Sequence, residues 1–284
     1  MVAAGCAAPA PASAPTPTPP PAFSERTQAW SSDACTVEHV AYASAGLTIY
    51  GWIVTPIGPG PWPLFVFNHG SNVGADLVDH SADPAWRPAF ACYNYLTDNH
   101  WLVFLPEGRG YGGSEGPGMG PVLRRELPVM QLLRGRADDV NAGVAQVERQ
   151  ANVRPNCTVI AGASHGGVVT LLAAGEAPQY QGVIAQSTGA SYYSATSGLS
   201  EMFEALDHIS APILLQHAAN DSLVPVAVSA QLAAHAQAAG KTVRFRQYPG
   251  LPGVEGHGLM QPRYSSIWKP DLVQFLGDAL AACP

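Results

Sequence analysis

A chain of 284 residues that is 47% hydrophobic can bury a sizeable core, enough for one globular domain of roughly 250 residues once a low-complexity N-terminus is set aside. Lys and Arg number 14 against 21 Asp and Glu, a formal charge of −7. No basic stripe is therefore available for phosphate backbones, and no run of about 18 apolar residues reads as a bilayer span, so a small soluble substrate is expected rather than nucleic acid.

Met1-Val2-Ala3-Ala4-Gly5-Cys6 runs into a tract, ending at residue 22, made almost entirely of Ala, Pro, Ser and Thr. Such a tract cannot form a packed core and reads as an extended tether, with the globular domain over residues 23–284. Ala3-Ala4-Gly5-Cys6 resembles the end of a bacterial lipoprotein signal, in which small residues precede a cysteine that takes the lipid. On that reading Met1 is internal to a longer precursor, and the domain is exported, periplasmic or membrane-anchored through Cys6. A low-complexity start with an incidental cysteine on a cytoplasmic domain is the alternative. Cys35, Cys92, Cys157 and Cys283 remain, an even number with three complete pairings. Cys157 opens a strand and Cys283 closes the last helix, which can bring both to the bottom of a parallel sheet, where either a bridge or buried thiols would fit.

Thr36 to Tyr42 and Leu47 to Thr55 alternate in the manner of an antiparallel hairpin turning at Ser44-Ala45-Gly46. Leu64 to Phe67 is a continuous apolar run of the kind a fully buried parallel strand shows. A helix is expected over Pro88 to Asn99, a strand over Trp101 to Leu105, and a longer helix from Val129 to Gln150. Thr158 to Ala161 is the next strand, with a helix over Gly167 to Ala174. Strands at Gly182 to Ala185, Pro212 to Gln216 and Thr242 to Tyr248 follow, with helices at Val226 to Ala239 and Asp271 to Ala282. The alternation implies an α/β architecture, a mostly parallel sheet of eight strands with helices on both faces and ligands at the strands' carboxyl ends. Two insertions, Gly74 to Trp86 and the Gly/Pro-rich Gly108 to Leu127, follow strands and are the candidates for lining or covering a pocket, and Trp86, Tyr111, Tyr192 and Tyr193 fit either apolar pocket walls or ordinary core and surface packing.

Chemistry concentrates at strand ends. Gly162-Ala163-Ser164-His165-Gly166-Gly167 lies between a strand and a small-residue helix, a context that can hold Ser164 on a sharp corner with its hydroxyl exposed. A serine at its ordinary pKa attacks too weakly without a base, an orienting acid and oxyanion donors. Asp221, directly after the strand ending at Gln216, is the candidate acid and can also cap the following turn. Asp207 sits lower and is the weaker choice. His257, between Gly256 and Gly258, is the candidate base, and His165 is expected to be a packing or wall residue. The backbone N–H groups of His165, at a helix start, and of Ser71, in the loop Asn68-His69-Gly70-Ser71-Asn72, are the candidate oxyanion donors. No second metal-binding side chain stands at close spacing to His69, so neither metal nor cofactor is expected. Gly108-x-Gly110-x-x-Gly113 matches a dinucleotide fingerprint, but loop residues follow it where a helix should open.

The His69-Gly70 loop, the Gly108-to-Gly116 turn, the elbow with its doubled glycine, Asp221-Ser222-Leu223-Val224-Pro225 and Gly256-His257-Gly258 together resemble the α/β-hydrolase superfamily, over essentially everything from residue 36 onward. The form is most similar to the dienelactone hydrolase and prolyl oligopeptidase branches, with serine at position 164 where typical dienelactone hydrolases carry cysteine. The resemblance implies an α/β-hydrolase fold, a triad in the order Ser164, Asp221, His257, and hydrolysis of a small carboxylic ester. Peptidase, amidase and acyltransferase activities use the same triad, and an inert hydrolase-fold binding protein is the non-enzymatic alternative.

Overall fold

The structure is a computed structural model and describes residues 23–71, 96, 100–177, 180–190, 198–260 and 264–284. Nine strands form its sheet: β1 (Glu25–Ser31), β2 (Cys35–Ser44), β3 (Leu47–Pro56), β4 (Trp62–Asn68), β5 (Leu102–Pro106), β6 (Val153–Ala163), β7 (Tyr180–Gln186), β8 (Ile213–Ala218) and β9 (Val243–Tyr248). Their spatial order is β1-β2-β3-β5-β4-β6-β7-β8-β9. From β5 across to β9 the neighbours run parallel. The pairs β1/β2, β2/β3 and β3/β5 are antiparallel. The β2–β3 hairpin closes through Ala45 and Gly46, both at positive φ (48° and 82°), the geometry of a two-residue type I′ turn.

The ninth strand, β1, corrects the expected count of eight. Its segment shows no apolar alternation because polar contacts join it to its neighbours. The Arg26 guanidinium forks onto the Glu38 carboxylate at 2.6 and 2.5 Å and donates to Gln150 Oε1 at 2.7 Å.

The described helices are α1 (Met119–Leu123), α2 (Val129–Val147), α3 (His165–Glu176), α4 (Leu199–His208), α5 (Ala227–Ala238) and α6 (Ser265–Ala282). Successive strand residues point to opposite faces, and here both faces are dry. Leu64, Val66, Leu102, Phe104 and Ile160 share a core with α2, α3, α4 and α5, whereas Phe65, Val103, Leu105 and Val159 share one with α6. This two-sided burial is why the central strands read as unbroken apolar runs. Sequence reading misses α4, whose Leu199, Met202, Ala205 and Leu206 are buried at helical spacing. It also starts α6 too late: the helix begins at Ser265 and continues through Pro270, with Trp268 and Leu272 both buried against the sheet. That packing outweighs the proline's missing N–H. The helix anticipated over residues 88–99 and the insertion over 74–86 fall outside the described residues, apart from Leu96, which is helical and buried. No helix among the described residues is long and apolar enough to cross a membrane.

Cys157 and Cys283 form a disulfide with Cα atoms 5.2 Å apart, tying β6 to the chain end beyond α6. Cys35 is disulfide-bonded too. The Cys157–Cys283 bridge spans 126 residues of sequence. Closing so long a loop restricts the unfolded chain, a contribution of about 2–4 kcal/mol. The double variant C157S/C283S is therefore expected to lose roughly 4–16 °C of Tm in a thermal melt.

Candidate active site

Ser164 stands between the last residue of β6 and the first of α3 with φ 57° and ψ −124°, a conformation that L-residues rarely adopt. Its surroundings over-determine it. The Ser164 N–H donates to the Gln186 carbonyl at 2.8 Å, and the Ser164 carbonyl accepts from the Gly167 N–H at 3.0 Å. A Cβ on Gly162 would fall 2.2 Å from the Gly166 carbonyl oxygen, and one on Gly166 only 2.0 Å from the Asn68 carbonyl oxygen. The elbow therefore closes only with glycine at these positions, and the start of α3 rests directly on the loop after β4. Asn68, buried at the end of β4, reinforces that contact by donating from Nδ2 to Thr170 Oγ1 at 2.9 Å.

Asp221 follows β8, and its side chain is wholly out of water. All of its acceptor capacity is used. Oδ1 accepts the backbone N–H groups of Leu223 at 3.0 Å and Val224 at 2.8 Å, and Oδ2 accepts His257 Nδ1–H at 2.8 Å and His217 Nε2–H at 3.0 Å. Burial alone would raise this carboxyl. The donors from His217, His257 and Val224 more than offset it and hold the group well below the usual carboxylate range. Capping the turn and orienting a histidine are thus done by different oxygens of one side chain.

His257 lies in a short 3-10 turn over Gly256–Met260. The turn is drawn in close: a Cβ on Gly256 would meet the Asp221 nitrogen at 2.4 Å. Glu255 fastens the acid and base loops together, one carboxylate oxygen accepting the Ser222 N–H (2.8 Å) and hydroxyl (3.1 Å), the other the His257 N–H (2.7 Å). With Nδ1–H committed to Asp221, His257 Nε2 is the nitrogen left to take a proton. Ser164 Oγ makes no hydrogen bond to it in this arrangement, which is common where such contacts tighten only around substrate.

The loop after β4 brings Gly70 against the serine. A Cβ there would lie 3.3 Å from Ser164 Cβ and 3.9 Å from Ser164 Oγ. Ser71, the candidate oxyanion donor, is the next residue and is buried. His165, the other donor candidate, opens α3, where first-turn amides point out of the helix. Its ring is buried, and that burial, reinforced by the neighbouring Arg136 guanidinium and His257, pushes it down to about 3. Asp207 lies instead on α4 in a surface pair with His235 at 2.8 Å.

Four residues of this neighbourhood were not singled out from sequence: His217, Glu255, Arg136 and Glu107. His217 carried a signal, a polar residue inside a fully buried strand four positions before Asp221. The other three act through contacts distant in sequence. Glu107 Oε1 accepts the indole N–H of Trp52 at 2.7 Å, and Arg136 reaches His69 from α2. Tyr111, a pocket-wall candidate, is buried edge-on against the His69 ring at 4.7 Å. Trp86, Tyr192 and Tyr193 lie outside the described residues. No helix opens at Gly113, the next one starting at Met119, so the glycine pattern there lacks a dinucleotide-binding helix. No metal-holding group of three His, Cys, Asp or Glu side chains occurs among the described residues.

Strand order, elbow and the positions of acid and base define an α/β-hydrolase fold, and comparison with known proteins agrees. Residues 186–283 match the prolyl oligopeptidase family. The uncharacterized protein YfhR of Escherichia coli is 23% identical over an alignment of 267 positions that covers 88% of this chain and 84% of that protein. The acylaminoacyl peptidase of Pyrococcus horikoshii superposes with a TM-score of 0.63 at 17% identity, over 86% of this chain and 42% of its own. The chain thus spans about two-fifths of the length of that peptidase. Acetyl xylan esterase 1 of a Thermoanaerobacterium species (TM-score 0.62, 16% identity) is covered over 87% of its length by 90% of this chain. A Klebsiella pneumoniae protein described as a putative dienelactone hydrolase (TM-score 0.60, 17% identity) is covered over 99% of its length by 86% of this chain. The resemblance is to the prolyl oligopeptidase-like and dienelactone hydrolase-like α/β-hydrolases.

Proposed function

We propose that this protein is a serine hydrolase of small carboxylic esters. The observation that carries the reading is the strained backbone of Ser164 at the strand–helix corner, at the same sheet edge as a histidine held by a buried carboxylate. In the first half-reaction His257 Nε2 takes the Ser164 hydroxyl proton as Oγ bonds to the ester carbonyl carbon. The oxyanion that forms is met by the backbone N–H groups of His165 and Ser71, and Asp221 stabilises the imidazolium through Nδ1–H. Collapse breaks the bond to the alcohol, which leaves with the proton from His257. Water then loses a proton to His257 as it attacks the acyl carbon, and collapse breaks the bond to Ser164 Oγ, which takes that proton back from His257 as the acid leaves.

The family match over residues 186–283 supports a second reading, a peptidase or amidase on the same groups. A panel of p-nitrophenyl esters of increasing acyl length beside aminoacyl anilides separates the two: esters are expected to turn over and anilides to lag far behind. The reverse order assigns the peptidase reading. A fluorophosphonate should label Ser164, and an unlabelled, natively folded protein would sink both in favour of an inert fold. We further propose that the domain works outside the cytoplasm. The Cys157–Cys283 disulfide supports this, since such bridges persist in oxidising compartments. Intact mass of the native protein tests the anchor, which requires acylation at Cys6.

A further inference from the structure

Arg136, on α2, is 2% exposed. A guanidinium removed from water needs a carboxylate or a full set of acceptors, and Arg136 has neither. Asp139, one turn along, is engaged by Arg109 at 2.7 Å. Nε and Nη1 of Arg136 have no hydrogen-bond partner. Nη2 alone is used, donating to the His69 main-chain carbonyl at 2.9 Å and lying 3.1 Å from His69 Nε2. The Tyr111 ring, 4.9 Å from the guanidinium carbon, supplies a weak cation–π contact. Two buried donors without acceptors cost stability, so this cation is not explained by what it adds to the fold.

Its contacts decide the state of His69. The ring has Nδ1 2.7 Å from the Gly70 carbonyl oxygen, and Nε2 faces both Arg136 and the Glu107 carbonyl oxygen, the latter at 2.7 Å. Burial, reinforced by the guanidinium, pushes His69 down to about 3, so the ring is neutral and carries one N–H. With that proton on Nε2 only the Glu107 carbonyl is served, and the Arg136 donor is opposed. With it on Nδ1 the ring donates to Gly70 and accepts from Arg136, so two of its contacts are served instead of one. Arg136 therefore selects the Nδ1–H tautomer.

The two consecutive carbonyls of the loop are thus both held, that of His69 by Arg136 and that of Gly70 by the His69 ring. In a trans peptide the C=O and N–H point in opposite directions. Fixing the Gly70 carbonyl on the His69 ring consequently aims the Ser71 N–H away from that ring, in a loop whose Gly70 lies against Ser164. We propose that Arg136, acting through His69, is a positioning residue that presets the Gly70–Ser71 peptide as an oxyanion donor. The inference rests on the serine hydrolase reading above.

The test is steady-state hydrolysis of a p-nitrophenyl ester by R136M, H69F, the double variant and R136K, each with a thermal melt. Losing one aligned oxyanion donor outright costs about 10²–10³ in kcat, and letting it wander should cost part of that, about 10–100-fold, with KM nearly unchanged. R136M is expected to show that loss while melting at or above the wild-type temperature, because an uncompensated buried charge has been removed. The double variant should be no worse than the worse single one, since both break the same clamp. R136K, which retains a donor for the His69 carbonyl, should recover part of kcat. Should R136M not fold, H69F carries the same measurement from the other end of the clamp. Wild-type kcat in R136M, a loss that merely follows a lowered melting temperature, or multiplying losses in the double variant would each overturn the role. S164A run alongside separates the two levels: turnover surviving there refutes the hydrolase reading, whereas an inactive S164A beside a fully active R136M refutes the clamp alone.

Discussion

Replacing Ser164 by alanine is expected to lower ester turnover by on the order of 10⁴–10⁶-fold, leaving only what the oxyanion donors and substrate binding supply. The fold should be unaffected, because alanine adopts φ 57° and ψ −124° at a cost similar to that of serine and the contacts enforcing the corner are main-chain. Glycine makes the prediction sharper. S164G should be equally inactive yet more stable, by about 1 kcal/mol or more, since strain at such a residue is worth about 1–3 kcal/mol and glycine relieves it. Urea unfolding of wild type, S164A and S164G measures this directly. Equal stability for S164G and S164A would mean that the corner is not strained, and substantial turnover by either would mean that another group is the nucleophile.

The difference between what could and could not be read from sequence follows the range of the interactions. The elbow was legible because the residues that make it lie within six positions of one another: two glycines where a Cβ would strike backbone, a serine between them, and the start of a small-residue helix. The positions of Asp221 and His257 at strand ends were legible because parallel strands announce themselves as apolar runs. The strand β1 was not, because Arg26 joins it to Glu38 and Gln150 through hydrogen bonds that leave no periodicity. Nor were the supports of the site. Arg136 meets a histidine 67 positions earlier in the chain, and Glu255 meets Ser222 across 33. On its own helix Arg136 reads as one more polar residue of an amphipathic pattern. Only the folded arrangement puts its guanidinium behind the loop that faces Ser164.

Asp221→Asn should lower kcat by about 10³–10⁴-fold. The carboxylate of Asp221 can only accept, so His257 must present Nδ1–H to it and keep Nε2 free for the serine proton. An asparagine amide can turn its NH₂ to Nδ1, which moves the ring proton to Nε2 and blocks proton transfer. The same substitution reports on stability through pH. Because the folded-state pKa of Asp221 lies well below the unfolded value of about 3.9, its carboxylate stabilises the fold fully above that value. The stabilisation is lost as pH falls from there through the folded pKa. The stability gap between wild type and D221N, measured by urea unfolding, should therefore be constant from about pH 5 upward and narrow below about pH 4. A gap that instead widened on acidification would mean that the buried carboxyl is protonated in the folded state, and Asp221 could not then orient His257 as an anion.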